Sequence, residues 1–148
     1  MRGKGMKLVL AVEKHGTPLG VYVCSAKPSE HHVAAPVLAE IKVPRVGRGR
    51  PRSKPRRVIA DKGYDSDPLR QRMRRRGIDW IAPYRCNSVL RRYEDRRKLR
   101  RYRKRWKIER SIAWIQNFRR VYVRYDRILA VYLGFVYCAC LLIALRHL

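Results

Sequence analysis

The sequence predicts a single α/β domain, and three observations carry the prediction. Two short apolar runs separated by turn residues open the chain as an antiparallel hairpin. An apolar run, a helical stretch and a second apolar run then follow in the order of a parallel β-α-β unit. The last third is helical in pattern, first basic and then apolar. With 148 residues and 46% hydrophobic content, the chain is long enough for one real core and too short for two comfortable ones.

The hairpin strands are Lys7 to Val12 (KLVLAV) and Leu19 to Ala26 (LGVYVCSA), joined by Glu13-Lys14-His15-Gly16-Thr17-Pro18. Glu30 to Lys42 sets Val33, Val37, Leu38 and Ile41 at helical spacing, which predicts an amphipathic helix of about three turns. His31 and His32 at its start point to different faces and make a poor chelating pair, so they read as polar helix-start residues. Over residues 44–56 (PRVGRGRPRSKPR) periodicity gives way to Pro, Gly and Arg, the composition of a flexible basic loop.

Order returns at Val58-Ile59-Ala60, an apolar run that ends in Asp61. A helical pattern follows to Arg76, with Asp67 as N-cap, Pro68 in the first helical position and Gly77 as the stop. Ile78 to Ala82 (IDWIA) is the next strand. In a parallel β-α-β unit Asp61 stands at the carboxyl end of the first strand, the edge where open α/β sheets bind ligands. Asp65 and Asp67 read as turn and cap residues. Asp61 either turns the chain with Gly63 or acts as a ligand, and its place directly after an apolar strand makes it the better ligand candidate.

Tyr84 to Arg96 is polar, arginine-rich and irregular. Residues 97–118 hold no Gly or Pro and predict one long basic helix carrying Glu109. At about 100° per residue, Tyr102, Arg105, Glu109 and Gln116 fall within an arc of about 60°. A Glu among Arg and Lys is ordinarily a partner in exposed i,i+4 pairs worth a few tenths of a kcal/mol, roughly. Here Trp106 and Ala113 flank Glu109 on one side and Ile108, Ile112 and Ile115 on the other, so the expectation is an acid facing a packed wall. Ile128 to Leu145 carries no charge and is long enough to raise the question of a membrane span. Tyr132, Gly134, Tyr137, Cys138 and Cys140 make it only moderately apolar, and residues 128–147 are expected to form a helix packed on the sheet, with no membrane.

Charge narrows the partners. Against 37 Lys and Arg stand 11 Asp and Glu, a formal net charge of +26. Such a charge opposes a compact monomer unless a polyanion neutralises it, and nucleic acid is the strongest candidate. The 44–56 loop then either contacts DNA or is merely solvated. Cys24, Cys86, Cys138 and Cys140 form no C-x-x-C pair and read as free buried thiols in a reducing cytosol. Met1 to Lys7 is basic and Gly-rich with no long apolar segment after it, so no signal peptide is expected and the location is cytoplasmic.

Two stretches carry a family resemblance. ADKGYDSD at Ala60 to Asp67, RRYRKRWKIERSIAWIQNFRR at Arg100 to Arg120, and the Arg124-Tyr125-Asp126 and apolar helix that follow resemble the carboxyl-terminal part of bacterial insertion-sequence transposases of the Asp-Asp-Glu (DDE) class, insertion sequence four and five relatives. The family signature Y-x2-R-x3-E-x6-K is matched by Tyr102, Arg105 and Glu109, with Gln116 where Lys is usual. The likeness runs from about Arg2 onward.

The resemblance implies a ribonuclease H-like mixed sheet with flanking helices, acting on DNA with Mg²⁺ (or Mn²⁺). Asp61 becomes the second catalytic acid and metal ligand, and Glu109 the third. Tyr102, Arg105, Gln116, Arg101 and Lys104 become DNA contacts, with Gln116 able to hydrogen-bond but unable to supply the charge of Lys. The family's first Asp lies on a central strand before the segment matching Arg2 to Val12, so residues 1–148 are expected to be a partial catalytic domain. Without that strand, Lys7 to Val12 and Val58 to Ala60 lack a ladder partner, and a homo-oligomer or a complementing upstream transposase fragment is the expected remedy. The chain alone is expected to bind DNA but turn over poorly; the other reading is a non-catalytic nucleic-acid-binding remnant or regulator.

Overall fold

The computed structural model describes residues 5–146; Arg2, in the opening basic segment, and residue 147, the last of the expected 128–147 span, lie outside them. The chain begins with strands β1 (Met6–Val12) and β2 (Pro18–Ser25), paired antiparallel with Leu8 opposite Val23 and Leu10 opposite Val21. Helix α1 (Glu30–Ala39) follows. Strand β3 (Arg57–Ile59), helix α2 (Asp67–Arg75) and strand β4 (Asp79–Ile81) form the parallel unit, in which Val58 faces Trp80 across the ladder. Helices α3 (Arg96–Tyr102), α4 (Trp106–Gln116), α5 (Arg119–Tyr122) and α6 (Leu129–Leu145) complete the chain. Among the described residues the strands make two two-stranded sheets, β1 with β2 and β3 with β4, with no ladder between them.

The apolar periodicities find their partners. Val33, Val37 and Leu38 of α1 are buried with Val9 of β1, Leu69 and Met73 of α2 and Trp80 of β4, so one core is shared by both sheets. Helix α1 is shorter than the spacing to Ile41 predicts. Glu40 caps it, but the Ile41 N–H turns back to Leu38 and the side chain stays buried. The start of α2 differs from expectation by one position: Ser66 is the N-cap and Asp67 the first helical residue.

The second core is built on the other side of the hairpin. Helix α6 buries Tyr132, Val136, Ala139 and Ile143, one stripe at i, i+4, i+7 and i+11, with Val21 of β2, Ile115 of α4 and Val121 of α5. Its outer face leaves Val131, Tyr137, Leu141 and Leu142 exposed. Among the described residues, no helix is long and apolar enough to cross a membrane. The cysteines are unpaired, but Cys86 and Cys138 are exposed instead of buried, because one lies in the irregular loop and the other on the outer face of α6.

The expected continuous helix over residues 97–118 is divided. A 3₁₀ turn at Arg103–Arg105 separates α3 from α4, with right-handed helical dihedrals maintained through Tyr102, Arg105 and Trp106. The chain tightens there without breaking, and the change of pitch determines what the next side chains reach.

Candidate active site

Asp61 stands two residues beyond the end of β3 and caps a 3₁₀ turn, Lys62–Tyr64, with its Oδ1 accepting the Lys62 N–H at 2.7 Å. The turn is held from behind. Asp65 accepts Arg70 at 2.8 Å and the Arg85 N–H at 2.7 Å, which ties it to α2 and to the loop after β4. Asp65 is thus a structural residue, as its turn position predicts. Asp61 turns the chain, one of the two roles its position allows, and its side chain is left half-exposed.

The 3₁₀ turn aims two side chains at Asp61. Residues three apart eclipse in a 3₁₀ helix, so Tyr102 and Arg105 stand one above the other. The Tyr102 hydroxyl donates to Asp61 Oδ1 at 2.9 Å. Arg105 Nη1 lies 3.2 Å from that oxygen, and its Nη2 lies 2.8 Å from Glu109 Oε1 one helical turn on. The guanidinium also lies over the Tyr102 ring, 5.6 Å from its centroid. Asp61, Tyr102, Arg105 and Glu109 therefore form one connected cluster.

Electrostatics favour an ionised Asp61. Partial burial pushes its pKa up, but the Lys62 N–H, the Tyr102 hydroxyl and the Arg105 charge outweigh burial and hold it below the ordinary 3.8. Tyr102 is raised above 10.0 by burial and by its bond to the carboxylate. Tyr64, on the same turn, is pushed up to about 12 by burial and by the charges of Glu30 and Asp61. The Glu30 carboxylate lies against Gly63, where a Cβ would collide with it. No sequence pattern pointed to Glu30, because a helix-start acid is ordinarily explained by the helix dipole.

Glu109 does not face a packed wall. Its side chain is 57% exposed, and Trp106 and Ile112 beside it are exposed too. The reason lies on the opposite face of α4, which buries Ser111 and Ile115 and clasps the hairpin turn. Ser111 Oγ donates to the Gly16 carbonyl at 2.7 Å, Arg110 Nη2 to His15 O at 2.8 Å, and Lys107 Nζ to Lys14 O. Gly16 has φ +100°, and a Cβ there would lie 2.9 Å from Ser111 Oγ. Trp106 remains outside because cations cover its ring, Arg110 at 4.8 Å and Lys107 at 5.9 Å. Ser111 had one signal in the sequence: it is polar at a position in register with Ile108, Ile112 and Ile115.

The other anticipated residues stand apart from the cluster. Arg101 and Lys104 are exposed on α3 and the 3₁₀ turn. Gln116 is exposed at the end of α4, on the face of Glu109 but about 10 Å further along the axis. Two carboxylates gathered around one cationic group are donor chemistry that a hard divalent cation accepts. Among the described residues, no group of three His, Cys, Asp or Glu lies close enough to hold a metal ion.

A strand-end acid and a helix acid joined through Tyr and Arg fit the class of DDE transposases. The chain belongs to that family: the model described as Transposase DDE domain matches residues 2–144. It is 34% identical over 139 residues to the protein titled "Putative transposase for insertion sequence element IS402" of Burkholderia cepacia. The alignment covers 94% of this chain and 62% of that protein, so the chain spans less than two thirds of the relative's length. No solved structure matches it.

Proposed function

We propose that this chain is the carboxyl-terminal part of the catalytic domain of a DNA transposase, with Asp61 and Glu109 as two of its acids. The observation that carries the reading is the Arg105 guanidinium, which engages both carboxylates while Tyr102 holds Asp61. Asp61 and Glu109 would hold Mg²⁺ or Mn²⁺, which when bound stabilises charge on the attacking and leaving oxygens of an in-line displacement at phosphorus. Arg105 is suited to turn its fork from the carboxylates to a DNA phosphate. Tyr102 and the Lys62 N–H keep Asp61 oriented and ionised. Arg101, Lys104 and Gln116 extend the DNA-contacting surface along α3 and α4. The work is done on bacterial DNA in the cytoplasm.

The sheet supports a partner strand. Among the described residues β1 pairs with β2 alone and β3 with β4 alone, so each keeps one edge to which a further strand could pair. Such a strand would complete a ribonuclease H-like mixed sheet and bring a further acid beside Asp61. An upstream segment of the same protein or a second copy of this chain would supply it.

The test is nicking of an end-labelled duplex by the complete protein. Cleavage that requires Mg²⁺, stops with EDTA and is abolished by Asp61→Ala or Glu109→Gln is the expected result. Salt-sensitive binding with no metal dependence, indifferent to both substitutions, would instead make the chain a non-catalytic DNA-binding remnant or regulator.

A further inference from the structure

The loop between α1 and β3 is built differently from the rest of the basic surface. An antiparallel bridge closes its base, with Val43 N to Arg52 O at 2.9 Å and Arg52 N to Val43 O at 2.8 Å. Between those residues runs Pro44-Arg45-Val46-Gly47-Arg48-Gly49-Arg50-Pro51, exposed throughout. Val46 is 109% exposed, as free as a side chain in an extended peptide. Gly47 and Gly49 have φ +97° and +134°, and a Cβ on Gly47 would meet nothing within 4 Å. No ion pair among the described residues engages Arg45, Arg48 or Arg50. The loop leads into the start of β3, whereas Asp61 follows its end.

We propose that this loop inserts Arg48-Gly49-Arg50 into the minor groove of A·T-rich duplex DNA. The inference rests on the reading that the chain acts on DNA, and it adds what kind of DNA and through which groove. Three features carry it. First, two arginines flank a residue with no side chain, so the backbone at Gly49 can approach the groove floor while both guanidiniums extend along it. Second, Pro51 restrains Arg50 to extended backbone, the shape that follows a groove. Third, the minor groove over A·T tracts is narrow and strongly negative, which attracts inserted Arg. A G·C pair places the guanine N2 amino group on that floor and obstructs the approach. An arginine loop bound only to phosphates would show no such preference.

The test measures fluorescence anisotropy of the full chain on three duplexes of equal length, with A·T, G·C or I·C centres. Inosine keeps the major groove of G·C and removes the minor-groove amino group. The expected result is about tenfold tighter binding to A·T and I·C than to G·C, in the range of a mismatched pair in a specific site. The double variant Arg48→Ala/Arg50→Ala is expected to bind all three alike, near the wild-type value on G·C, with an unchanged circular dichroism spectrum because the loop packs on nothing. Gly49→Ala is strained at φ +134° and reshapes the backbone between the two arginines, and is expected to remove most of the preference while keeping both charges. Equal wild-type affinity for the three duplexes, or a preference that survives in the double variant, overturns this inference alone. Failure to bind any duplex overturns the DNA reading as well.

Discussion

Asp61 and Glu109 are linked through one side chain, with Arg105 Nη1 3.2 Å from Asp61 Oδ1 and Nη2 2.8 Å from Glu109 Oε1. The linkage depends on the 3₁₀ turn between α3 and α4, which sets Tyr102 and Arg105 on the same line toward Asp61. Glu109 gains its direction from the far side of the helix, where Ser111 is bonded to the hairpin turn.

The Asp61 contacts set a pH window. A carboxylate whose folded pKa is depressed stabilises the fold fully above its unfolded value, here 3.8, and loses that contribution as pH falls through the folded value. Tyr102 is raised, so its contribution is complete below 10.0 and is lost as pH rises through its folded value. Titration of ring-labelled tyrosine by NMR should show the Tyr102 pKa falling in Asp61→Asn, because the carboxylate that holds its proton is gone. An unchanged titration would mean that the hydroxyl does not bond to Asp61.

Arg105→Lys keeps one positive charge but loses the fork that reaches both acids. DNA cleavage is expected to fall by about tenfold or more, since a lysine cannot make the paired contact. Wild-type rates in this variant would show that charge alone suffices.

Ser111→Ala should destabilise the fold by about 1–3 kcal/mol, because it leaves the buried Gly16 carbonyl without its donor. Gly16→Ala should cost about 1–2 kcal/mol for its backbone conformation, and more from the approach to Ser111. Urea midpoints at constant m-value measure both, and midpoints equal to wild type would remove the clasp from the account.

Met73 is fully buried in the core shared by the two sheets. Met73→Ala should cost about 2–5 kcal/mol, read from the same urea transitions. A smaller loss would mean that α2 does not seal that core.

Much of this was legible in the sequence because it is local or periodic. The hairpin follows from two β-prone runs around Gly16, and the β-α-β unit from Val58 to Ala82 follows from its cap and stop residues. Asp61 and Glu109 came from strand-end logic and motif spacing, and the 3₁₀ turn explains why Tyr102 and Arg105 join them. The misreadings are tertiary. An apolar border around Glu109 suggested burial, but cations cover Trp106 and the hairpin turn claims the other face. The long-helix reading missed the 3₁₀ turn because Arg103, Lys104 and Arg105 are all good helix formers, and Asp61, distant in sequence, is what rewards the tighter pitch.

The most direct test of the paired acids is Mn²⁺ affinity, measured by electron paramagnetic resonance for wild type, Asp61→Asn, Glu109→Gln and the double variant. If both acids hold one ion, each single substitution weakens binding by about tenfold or more, and the double variant is little worse than either. Single substitutions that leave Mn²⁺ binding unchanged, or effects that simply add, would contradict a shared site.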